Sequence, residues 1–85
     1  VDIDNFEKVW SKNGTTKYRK PGCNEYVYTF EGYSNDPVLH LTKINEEQWV
    51  SRLETNGSFS QMKASMDDFD RALRDGKRLL KAFAQ

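Results

Sequence analysis

Apolar residues at Ile3, Phe6 and Trp10, with Val9 beside them, recur at helical intervals and predict a short helix over residues 2–13. Asp4 and Glu7 stand at capping-box spacing. Asn13-Gly14 reads as the stop, because glycine enters the left-handed region at little cost. The period then changes to two. Residues 15–20 open a strand. Residues 25–33 form the clearest one, with Tyr26, Tyr28 and Phe30 on one face and Val27 and Thr29 on the other. Residues 38–44 place Leu39 and Leu41 opposite Val38, His40 and Thr42. Pro21-Gly22-Cys23-Asn24 and Ser34-Asn35-Asp36-Pro37 punctuate the strands as turns. Turns this short favour an antiparallel meander.

Two patterns compete over residues 45–62. Asn45 caps a second helix if Gln48 answers it three residues on; Trp49, Val50 and Leu53 then share a face and Asn56-Gly57 ends it. Alternatively residues 49–55 and 58–62 form a hairpin around Asn-Gly. Glu46, Glu47 and Gln48 tip the choice to helix by propensity. A final helix runs from residue 60 or 65 to residue 84, with Met62, Met66, Phe69, Leu73, Leu80 and Phe83 in its stripe. Acids at Asp67, Asp68 and Asp70 and bases at Arg74, Lys77, Arg78 and Lys81 match its dipole. Gly76 falls inside the stripe, where it marks either a close approach or a break. The expected fold is α+β: a small antiparallel sheet of three to five strands, covered on one face by a long C-terminal helix, with a short N-terminal helix, in one domain over residues 1–85. The α-β-β-β-α order resembles that of double-stranded-RNA-binding domains, and a three-stranded sheet resembles those of small DNA-binding modules of phage integrases. The last helix of the RNA-binding domains opens on a basic cluster, however, and Ser65-Met66-Asp67-Asp68 is acidic; the motif residues of the integrase modules are not found here either, so no family is assigned.

Composition narrows the function. Aromatics make up 13% of the 85 residues, the share of a folded chain rather than a disordered one. Thirteen basic residues balance thirteen acidic ones, so no long-range field draws nucleic acid or anionic lipid, and a charged partner must meet a local patch. One cysteine, Cys23, precludes an intrachain disulfide framework. No apolar run reaches the roughly 20 residues of a membrane span, and a cytoplasmic setting is expected.

Site chemistry is scarce. His40 is the lone histidine, which excludes two-imidazole metal sites and reads as a strand residue that is hydrogen-bonded or partly exposed. Cys23 reads as a turn cysteine with no histidine near it in sequence. The Asp67, Asp68 and Asp70 group lacks the alternating ligands of a calcium loop. No glycine pattern makes a phosphate cradle. No catalytic residue, metal ligand or cofactor is therefore expected.

The expected activity is non-enzymatic protein binding, as an adaptor, regulator or inhibitor of a larger assembly. Trp10, Tyr18, Tyr33 and Trp49 are the candidate anchors, because so small a core cannot enclose them all; at least Trp10 or Tyr33 should be exposed. The aromatic row Tyr26-Tyr28-Phe30 is read as core. The alternative is nucleic-acid binding through Lys12, Lys17, Tyr18, Arg19 and Lys20, joined by Lys77, Arg78 and Lys81 if the fold brings them together. A homodimer through the helix stripe is a further partner expectation; a membrane is not.

Overall fold

The structure is a computed structural model that describes residues 5–22, 24–65 and 69–84, with only the backbone pairing of residues 60–65. Strands β1 (Glu7–Lys12), β2 (Thr15–Arg19), β3 (Glu25–Phe30), β4 (Val38–Asn45), β5 (Gln48–Thr55) and β6 (Ser58–Ser65) lie side by side in sequence order. Every neighbouring pair is antiparallel. Helix α1 (Phe69–Phe83) packs across β4, β5 and β6. The expected α+β class and C-terminal helix hold, while the sheet has six strands rather than three to five.

The short N-terminal helix is not formed: residues 7–12 are β1, and residues 1–4 lie outside the described part. The misleading signal was a bulge. Pairing steps from Lys8↔Tyr18 to Trp10↔Lys17, so Val9 is an extra residue that breaks the period of two. Asn13-Gly14 is not a helix stop but a two-residue hairpin turn, with φ of 53° and 78° at its two positions. Positive φ at both is the turn whose twist matches paired strands.

Residues 45–62 take the hairpin alternative, not the second helix. Asn56-Gly57 repeats the same turn, with φ of 52° and 81°. Asn45 does accept a hydrogen bond through its side chain, from the Glu47 N–H, at 2.9 Å. That bond closes a tight strand-to-strand turn, and it is local in the same way as a helix cap, so sequence alone does not separate the two. Within β5, Trp49, Ser51 and Leu53 face α1; the polar Ser51 hid the alternation.

The last helix begins at Phe69, later than expected, and Met62 belongs to β6. Met66 and the Asp67–Asp68 pair lie outside the described residues, as does Cys23. The core joins Tyr28, Leu39, Leu41 and Ala72, with Tyr26, Phe30, Trp49, Phe69 and Leu73 packed around it. The aromatic row of β3 is thus core, as expected. Small residues seat the helix. The buried Ser51 hydroxyl donates to the Ala72 carbonyl, and one turn on, Gly76 lies against Leu39. Phe83, placed in the stripe by spacing, is exposed.

Candidate functional site

Because α1 sits over β4 to β6, the first hairpin is left beside it rather than beneath it. Between them opens a groove of about 310 Å³, walled by Trp10, Tyr28, Phe30 and Leu73 and carrying Lys12 and Lys77. Strand register explains the wall. Lys12 stands opposite Thr15, Thr15 opposite Phe30, and Lys17 bridges Trp10 to Tyr28, so all these side chains share the helix face. Trp10 packs edge-on against Tyr28, with centroids 6.2 Å apart, yet stays 43% exposed. Tyr33 extends the apolar surface by standing edge-on to Phe30 at 6.3 Å, and is 39% exposed. At least one of Trp10 and Tyr33 was expected at the surface, and both are exposed. Burial, with Tyr26 adding to it, pushes the Tyr28 phenol up to about 12. It therefore keeps its proton at neutral pH, and the groove is uncharged apart from its lysines.

The other candidate anchors are placed differently. Trp49 packs against Tyr26 and Phe69, at 6.2 and 5.3 Å, and belongs to the core surround. Tyr18 pairs with Val27 and Lys8 on the opposite sheet face, half-buried.

The cations proposed for nucleic acid are divided by the same register. The Lys17 ammonium lies over the rings of Tyr26 at 4.7 Å and Phe69 at 5.1 Å, a cation–π arrangement within the molecule. Arg19 pairs with Glu7 at 3.4 Å and Arg78 with Asp75 at 3.9 Å. Lys20 is exposed on the β2–β3 turn and Lys81 on the last turn of α1. Lys17 and Arg19 line a second cavity with Lys8, Glu7, Val9 and Tyr26, whereas Lys12 and Lys77, from opposite ends of the chain, meet in the groove beside α1. No local signal in the sequence pairs them.

On the opposite face His40 is a hydrogen-bonded strand residue, as expected, with a partner that the sequence did not indicate. His40 Nε2 and Glu54 Oε1 are 2.9 Å apart, with both side chains buried. Phe59 packs against the imidazole at 4.9 Å with its ring tilted by 60°, while its own surface remains 53% exposed, and the Arg52 guanidinium lies 4.6 Å from the Phe59 ring centre. Burial holds the His40 pKa below its ordinary value, against the pull of Glu54. Burial acts to raise Glu54, but its hydrogen bond with His40 helps bring the carboxyl below the usual range. A neutral imidazole therefore donates Nε2–H to a carboxylate at neutral pH. Both shifts have one sign. As pH falls through about 6.5, the unfolded chain takes up a proton that the folded His40 refuses, and stability drops. The contribution of Glu54 is present above the ordinary carboxylate range and is lost as pH falls through its lower folded value. The melting temperature is expected to fall between about pH 7.5 and about pH 4, and His40→Gln to flatten the upper part of that slope. A wild-type melting temperature that is constant down to about pH 5 would contradict the assignment.

Among the described residues, no three His, Cys, Asp or Glu side chains gather as metal ligands, and no helix is long and apolar enough to cross a membrane. The fold and groove define the class: a small α+β chain whose open antiparallel meander carries one helix and an aromatic, lysine-lined cleft. Comparison with known protein families, curated proteins and solved structures finds no match.

Proposed function

We propose that this chain is a non-enzymatic module that binds a protein partner through the cleft between the first hairpin and α1. One observation carries the reading: Trp10 and Lys12 from β1 meet Lys77 from α1 around an open aromatic wall. An exposed tryptophan beside a pocket is the kind of residue that dominates protein interfaces. The paired lysines favour a partner whose apolar side chain is accompanied by a carboxylate, since complementary charge selects partners and speeds encounter. Net neutrality leaves that preference local to the cleft.

Selection of displayed random peptides on the purified chain tests this. Enriched sequences are expected to combine apolar and acidic residues. Their binding should fall about tenfold or more with Trp10→Ala or with Lys12→Glu plus Lys77→Glu, while the melting temperature stays within a few degrees of wild type. No enrichment, or enrichment indifferent to those substitutions, overturns the reading. Tight binding of oligonucleotides that weakens steeply with salt would favour the nucleic-acid alternative instead.

A further inference from the structure

The β1 strand forms one margin of the sheet: it pairs with β2, and no second strand adjoins it among the described residues. All of Glu7–Lys12 is exposed. One row of its backbone N–H and C=O groups therefore points away from the sheet, next to the cleft. We infer that the partner segment docks by adding an extended, antiparallel strand to β1, and that it reads acid-x-apolar along its sequence. This rests on the protein-binding reading above and specifies its occupant.

The spacing follows from register. Trp10 and Lys12 are two residues apart and both line the cleft. A strand laid against β1 sets one side chain opposite each, about 5 Å away, and these two point into the cleft together. The residue opposite Trp10 is best apolar, and the residue opposite Lys12 best acidic, where Lys77 adds a second cation. In an antiparallel pair the residue facing Lys12 precedes the one facing Trp10, so the acid comes first. The residue between them faces Ser11, which bonds to Thr16 across the hairpin on the opposite face, and is unconstrained by the cleft.

The same margin disfavours a second copy of this chain. The bulge at Val9 interrupts a regular ladder between Lys8 and Trp10, so two β1 strands cannot pair evenly along their length. A heterologous acidic strand needs only the regular stretch Trp10–Lys12. The bulge thus guards the margin against itself while leaving the cleft-side stretch open to a strand of opposite charge.

The probes are short extended peptides bearing Glu-Thr-Val at their centre, the reversed Val-Thr-Glu peptide, and the Glu-Thr-Val peptide with its pairing amides N-methylated. Titration into the full chain is followed by amide hydrogen exchange and by tryptophan fluorescence, with a Trp49→Phe variant isolating the Trp10 signal. The expected result is that Glu-Thr-Val binds about tenfold more tightly than either control, and that the outward β1 amides gain protection. Equal binding of the N-methylated peptide without β1 protection overturns strand addition but leaves side-chain docking in the cleft, and so the protein-binding reading, intact. Equal binding of the reversed peptide overturns the register. No binding by any of the three overturns the inference, and the display selection separately decides the broader reading. Concentration-dependent dimerisation in sedimentation that protects β1 without peptide also overturns it, in favour of a second copy.

Discussion

Leu39→Ala is expected to lower the unfolding free energy by about 3–4 kcal/mol, the middle of the range for a fully buried leucine. Leu39 has no exposed surface. It stands between Tyr28 on β3 and Leu53 on β5, and Gly76 of α1 rests on its methyl groups. Strands on both sides and the helix above hold the walls of the resulting cavity apart, so it relaxes little. A domain of this length has roughly 5–10 kcal/mol in total. The loss is then a large fraction of its stability and lowers the melting temperature by about 12–32 °C. Urea denaturation followed by circular dichroism measures it. A loss below about 1 kcal/mol would show that the helix closes onto the vacated space.

Gly76→Ala is expected to destabilise by about 1–2 kcal/mol, although alanine is the better helix former by about 1 kcal/mol. A Cβ on Gly76 would stand 2.8 and 2.9 Å from the two Leu39 methyl carbons and 3.2 Å from its Cγ. A leucine at the surface would swing aside. This one is enclosed, so relief requires the helix to lift from the sheet, stretching the Ser51 hydroxyl's bond to the Ala72 carbonyl one turn earlier. The two sites should therefore couple. In a Leu39→Ala background the clash is gone, and Gly76→Ala should become neutral or stabilising by about 1 kcal/mol. Additive effects in that double-mutant cycle would mean that the close approach does not govern the seat of the helix.

Much of the sheet was legible because its signal is local. Tyr26, Tyr28 and Phe30 alternate with Val27 and Thr29, and Leu39 and Leu41 with Val38 and His40; a polypeptide with that period buries one face as a strand. The turn between β3 and β4 and the inward role of Tyr28 followed from the same reading; the C-terminal helix followed from its own helical stripe, though not its start. What misled was also local. A bulge at Val9 and a buried serine at position 51 each break a period of two, and Asn45 and Asn13-Gly14 make the same short-range bonds and backbone conformations at a hairpin as at a helix end. Counting large residues against the capacity of a small core foresaw that at least one of Trp10 and Tyr33 would be exposed; that both are exposed was set by the fold.

The sequence by itself determined an α+β chain with an aromatic sheet face, a C-terminal helix, and a surplus of rings that must reach the surface. Only the tertiary structure decided that Lys12 and Lys77 share a cleft, that Lys17 lies over tyrosine and phenylalanine rings, and that His40 is bonded to Glu54. Those partners are separated along the chain and joined by strand register and helix placement. Periodicity reports which side of an element faces inward; it carries no information about which distant element arrives there.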